Sequence, residues 1–248
     1  MKRAVFVAAT LAGSLIIGCA SNNSDSYSNT TGTTSGPRGK VLGGIADPPQ
    51  MNARNEADGM PEQEPGIQAQ TFFAAGQFAE AEGNFAVAAQ QYEKACKAQP
   101  DYLWAQYRLG VVYSHMKNWP KAVDAWNAYL ESTNGTASGW SNLGFTWELA
   151  GEPTRAEEAY KKGIEKDPKC QPARVNYGLM LARRNRIPEA VEQFSAALTP
   201  AEVHYNLASV FEQQGRHKLA RAEYEMALKL DPQLSDARTR LAAISPTE

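Results

Sequence analysis

The chain has little that suggests chemistry. Its 248 residues include three cysteines and three histidines. His115, His204 and His217 stand in unrelated surroundings, and no two share metal-ligand spacing with a third candidate. There is no phosphate-binding loop and no G-x-S-x-G. The carboxylates are scattered along polar helix faces, where solvation is their ordinary role. We therefore expect no catalytic residue, no metal site and no cofactor. A net charge of -2 removes the basic stripe that nucleic-acid binding requires. A long apolar run is also missing. Ala4 to Ile17 is uncharged and mostly apolar, but its 14 residues fall short of the ~20 that a spanning helix needs.

The two ends of the chain read as different materials. Met1-Lys2-Arg3 supplies a positive start, and residues 4–17 fit the apolar region of a secretory signal peptide. That region closes in Leu15-Ile16-Ile17-Gly18-Cys19. The run resembles the lipobox of bacterial lipoproteins: aliphatic residues, a small residue, then the lipidated cysteine. The resemblance implies cleavage after residue 18 and acylation of Cys19. The alternative is ordinary cleavage after Ala20. Ala rather than Asp at residue 20 implies sorting to the outer membrane in a Gram-negative cell.

Residues 19–65 then read as a disordered tether. They are rich in Ser, Asn, Thr, Gly and Pro, and from residue 20 onward they set three cations, Arg38, Lys40 and Arg54, against six acids. Apolar residues are too sparse to offset the entropy of ordering. A coil of this length averages about 40 Å end to end. The segment is read as a spacer without a sequence-specific role, with a binding motif as the alternative, and residues 66–248 are expected to fold without it.

From residue 66 a repeat appears. Gly76, Gly110, Gly144 and Gly178 recur at one constant interval. Ala88, Ala122, Ala156 and Ala190 recur at the same interval, and Ala220 follows at a slightly shorter one. Four residues after each alanine stands an aromatic: Tyr92, Trp126, Tyr160, Phe194, Tyr224. Pro100, Pro168 and Pro232 close alternate copies. The pattern resembles the tetratricopeptide repeat (TPR), and the third copy carries it most fully, with Trp140, Leu143-Gly144, Trp147, Ala156, Tyr160 and Pro168. The resemblance implies an all-α solenoid of helix–turn–helix units. Repeats are placed at 69–102, 103–136, 137–170, 171–200 and 201–234, and a capping helix and tail at 235–248. Trp140, Leu143, Gly144 and Trp147 form the i, i+3, i+4, i+7 stripe of an amphipathic helix. The fourth copy is four residues short, so its second helix should lose about one turn. Thr199-Pro200-Ala201-Glu202 reads as the capped start of the next helix. Cys96 and Cys170 lie two copies apart, too far for the ~7 Å Cα separation of a disulfide.

Each first helix turns about 100° per residue, which carries its sixth position away from the stripe. The resemblance implies that this side lines a concave groove. The sixth places are Ala74, Arg108, Asn142, Asn176, Asn206 and, in the cap, Arg240. The three asparagines form a ladder whose amides could match the backbone of an extended peptide. Trp104, Val111, Phe145, Leu149 and Leu179 share the face, and Tyr107 and Tyr205 should flank it. The expected groove is thus Trp104, Tyr107, Arg108, Asn142, Phe145, Asn176, Tyr205 and Asn206, pointing away from the core, so that their loss should spare stability. Packing between repeats is the competing account of the same residues.

Together these readings describe a lipid-anchored scaffold in the bacterial envelope, facing the periplasm. It would bind a protein or peptide partner, with no nucleic acid and no metal. The architecture is similar to that of outer-membrane TPR lipoproteins of Tad and type IV pilus assembly, including pilotins, which implies pilus or secretion-system assembly. An adaptor for a peptidoglycan hydrolase or a protease is the alternative, and an enzyme with an unrecognised site is the third reading.

Overall fold

In the computed structural model, the described residues are Gly44 and 67–244. The expectations for residues 1–18, for Cys19 and for most of the tether lie outside them. Among the described residues all regular structure is helical. The helices follow in pairs: α1 (Ile67–Ala81) with α2 (Phe85–Ala98), α3 (Leu103–His115) with α4 (Trp119–Ser132), and α5 (Ala137–Leu149) with α6 (Pro153–Lys166). α7 (Gln171–Arg183) pairs with α8 (Ile187–Ser195), and α9 (Pro200–Gln213) with α10 (His217–Leu230). α11 (Ser235–Ala243) packs on α10. Each pair stacks on the next, and the first helices α5, α7 and α9 lie side by side. The chain is a solenoid. None of its described helices is long and apolar enough to cross a membrane.

The constant spacing of the glycines has a direct steric cause. A Cβ added at Gly110 would sit 2.4 Å from Trp126, one at Gly144 2.7 Å from Tyr160, and one at Gly178 2.5 Å from Phe194. The missing side chain is therefore filled by the aromatic ring of the partner helix, and all three rings are fully buried. The turns inside the pairs need one left-handed residue each. Gly83, Gly151 and Gly215 supply it in three pairs, while Lys117 and Asn185 adopt it in the other two.

The short fourth copy loses its length in α8, which has nine residues where α6 and α10 have 14. The chain restarts at a full capping box: the Glu202 N–H donates to Thr199 Oγ1 (3.4 Å) and the Thr199 N–H donates to Glu202 (2.8 Å).

Buried tyrosines tie the pairs together through acids. Tyr160 donates to Glu148 (3.0 Å), which also takes Arg183 at 2.7 Å. Tyr224 and Glu212 repeat this at 2.6 Å, with Arg240 at 3.6 Å. At the junction that Arg183 crosses, Glu157 also accepts from Tyr177 (2.7 Å) and Arg186 (2.8 Å). These bonds, led by that of Arg186, push its carboxyl down to about 2 against the opposing effect of burial. A carboxyl lowered by folding stabilises the fold above its unfolded value and stops doing so as it takes a proton. Acid should therefore weaken this junction between about pH 4.5 and about pH 2. Denaturant titrations across that window should show the loss in the parent and a flatter profile in Arg186→Ala. Equal profiles would mean that the pair contributes nothing.

Candidate functional site

The expected ladder exists as a register but is not an open row of side chains. Asn142, Asn176 and Asn206 follow one another on α5, α7 and α9, and they are 0%, 2% and 0% exposed. The expectation that they point away from the core is corrected: they are buried. The helical wheel turns the sixth position away from its own partner helix, but neighbouring first helices pack against it. Buried amides need partners, so the asparagines carry structure as well as any recognition.

Asn176 has the fullest set. Its Nδ2 donates to Ser141 Oγ of the preceding copy at 3.1 Å. The same Nδ2 donates to the Gly44 carbonyl at 2.7 Å, and its Oδ1 accepts from the Gly44 N–H at 2.7 Å. An extended residue turns its N–H and C=O to one side, so one carboxamide can satisfy both. Asn176 thus treats Gly44 as a sheet neighbour would, from 132 positions away in the chain. Gly44 is only half-buried. Asn206 differs. Its Nδ2 donates back to the Glu202 carbonyl (2.8 Å), while its buried Oδ1 has no partner among the described residues.

The other expected groove residues divide. Tyr107 and Tyr205, 3% and 5% exposed, are core residues rather than flanks. Tyr107 meets Trp126 edge-on at 5.2 Å, and Tyr205 packs on Tyr224 at 5.7 Å. Leu179 is also buried. Arg108 donates through Nε to Glu80 at 3.0 Å, and Glu80 also accepts from Tyr92 at 2.8 Å. Its guanidinium is committed to joining the first two copies. Trp104 is half-buried against the N-terminal core cluster, and Phe145 half-buried against the C-terminal one. Leu149 is 39% exposed, and Val111 half-buried. By helix register, the half-buried or exposed apolar residues of this face are Trp104, Val111, Phe145 and Leu149.

Two participants escape a reading of the sequence. Ser141 occupies the fifth position, where Tyr107, Val175 and Tyr205 stand in other copies, and it has no recurrence to mark it. Gly44 lies in a segment that reads as a spacer. Its signal is local: Val41, Leu42 and Ile45 are the only branched aliphatic residues between positions 20 and 66.

Burial pushes the Cys96 thiol up to about 12, which leaves it without thiolate character at neutral pH. Among the described residues no group of three or more His, Cys, Asp or Glu could hold a metal.

Family comparison agrees with the architecture. Models described as tetratricopeptide repeat match residues 73–137, 150–203 and 201–234, together more than half of the chain. The chain belongs to the tetratricopeptide repeat family. Such folds are generally non-catalytic protein-interaction scaffolds, and no enzyme family is indicated. Solved structures of similar fold include a thermophilic TPR protein from Thermus thermophilus. It is 22% identical with a TM-score of 0.52, over 71% of this chain and 98% of that one. MamA matches at 17% identity and a TM-score of 0.53, over 73% of this chain and 97% of its own. A TPR protein from Parabacteroides merdae matches at 14% and 0.52, over 72% and 71%. At these identities the likeness is one of fold. The RNA polymerase-associated protein CTR9 of Caenorhabditis elegans is 27% identical over 138 residues, 53% of this chain, and the chain spans 12% of that protein's length.

Proposed function

We propose that this TPR protein is a lipid-anchored interaction scaffold of the bacterial envelope. Cys19 would hold it to a membrane, the outer one facing the periplasm. The face of the first helices would take an extended segment of a partner during pilus or secretion-system assembly. The observation that carries the peptide-binding part is the carboxamide of Asn176, which engages both backbone groups of one peptide residue at 2.7 Å. Backbone pairing of this kind accepts many sequences, and Val111, Phe145 and Leu149, on the same face by helix register, add apolar contact. The lipobox-like Ile16-Ile17-Gly18-Cys19 and the apolar stretch before it support the anchor.

The anchor and the groove are tested separately in cells. Cys19→Ala is expected to abolish fatty-acid labelling and release the chain from the membrane fraction. Unchanged labelling would remove the anchor from the reading. A photo-crosslinking residue at Leu149 should then capture a discrete envelope protein, and Asn176→Ala should lose it while helicity is retained. Capture that ignores Asn176 would place recognition elsewhere on the molecule.

A further inference from the structure

The pairing of Gly44 with Asn176 joins the tether to the middle of the repeat array. Three features make it more than an incidental touch. Both hydrogen bonds are 2.7 Å long, and they saturate the two backbone groups of Gly44 with the two ends of one side chain. That side chain is 2% exposed and is held in orientation by Ser141. Finally, Gly44 sits within Val41-Leu42-Gly43-Gly44-Ile45, the one cluster of branched aliphatic residues in an otherwise polar tether. The face that receives it has half-buried or exposed Val111, Phe145 and Leu149 available.

We propose that the segment centred on Gly44 is a ligand of this protein's own first-helix face, docking in cis on Asn176 and competing with any outside peptide. The proposal rests on the reading of that face as a peptide site and names its resident occupant. Residues 45–66, 22 in all, connect Gly44 to α1. Neighbouring packed helices lie about 8–10 Å apart, so α7 stands on the order of 30 Å from α1, three copies along. A coil of 22 residues averages about 25 Å. Where reach matches span, a tethered ligand acts at roughly millimolar local concentration. A segment whose own Kd is about 0.1 mM would then be docked most of the time and would weaken an outside competitor roughly tenfold. Recognition through backbone groups suits this role: the occupant is specified by the tether and remains replaceable by another extended chain.

The test uses the full chain and Gly44→Pro, which removes the N–H that Asn176 accepts and lies outside the repeats, so the array is not put at risk. Hydrogen exchange should show the amides of 42–46 exchanging at least tenfold slower in the parent than in Gly44→Pro. The probe is a labelled synthetic peptide with the sequence of residues Lys40–Asp47. It should bind Gly44→Pro at least fivefold more tightly than the parent, and Asn176→Ala, checked for helicity, should bind it poorly whether or not Gly44 is replaced. Free-chain exchange rates in the parent, with equal peptide affinity for the two chains, would overturn the proposal. Protection that appears only as protein concentration rises, together with dimers in sedimentation, would assign the segment to a second copy and overturn docking in cis. The groove reading falls separately: it survives a failure here if the Leu149 crosslink still requires Asn176, and is lost if that requirement is also absent.

Discussion

Gly144→Val should destabilise the array by about 3 kcal/mol, at the upper end of what overpacking a filled core costs. The first added carbon already stands 2.7 Å from the Tyr160 ring, and that ring cannot swing away. It is fully buried and its hydroxyl is held by Glu148, itself bound to Arg183. The two further methyl carbons of valine would drive α5 from α6 or break that relay. For an array of this size the thermal midpoint should fall by about 6–12 °C. Gly144→Ala should be far milder. The corresponding place in the last copy is Ala208, fully buried in the same core cluster as Tyr224, so the repeat accommodates one carbon at this place. The gain in helix propensity from Gly to Ala, about 1 kcal/mol, offsets part of the crowding. Because stability in stacked repeats is a sum over neighbours, the damage should concentrate at 137–170. Hydrogen exchange across the chain would show this, and a valine variant that melts like the parent would refute the packing account.

Replacing Asn142, Asn176 and Asn206 together with alanine should weaken partner binding at least tenfold, a loss of about 1.4 kcal/mol. It should also lower stability. An exposed ladder would have lost binding alone. These amides are buried, and leaving a buried polar partner unsatisfied costs about 1–3 kcal/mol. The single changes should rank by what they leave behind. Asn176→Ala strands Ser141 Oγ and both backbone groups of Gly44. Asn206→Ala removes a bond to the Glu202 carbonyl of its own helix and takes away a buried oxygen that has no partner among the described residues. Asn176→Ala should therefore be the more damaging of the two, in both melting and affinity. Binding has to be measured well below the lowered midpoint, with circular dichroism on the same samples. Asn206→Ala matching Asn176→Ala in both measurements would mean that position, rather than the hydrogen bonds each amide makes, sets the effect.

The helix pairs and their order were legible in the sequence because each copy solves the same steric problem. A glycine or alanine in the first helix must face a ring on the second, and only a fixed period keeps them opposed, as Gly110 faces Trp126 and Gly178 faces Phe194. The start of α9 was legible for a local reason: Thr199 and Glu202 form their capping box within four residues. The groove was legible only as a register. A helical wheel places Asn176 away from α8, but it carries no information on what covers it: Ser141 of the preceding copy and Gly44 both lie against its carboxamide. Tyr107 and Tyr205 failed as exposed flanks for the same reason, since a wheel assigns direction and not depth. Arg108 reads as a free groove cation until Glu80, 28 positions earlier, is brought beside it. Gly44 is the extreme case. Sequence alone determined that Val41, Leu42 and Ile45 stand out in a polar tether. That Gly44 meets Asn176 across 132 positions was decided by tertiary structure, because the stacking of five helix pairs creates the site where a single buried carboxamide can hold a peptide backbone.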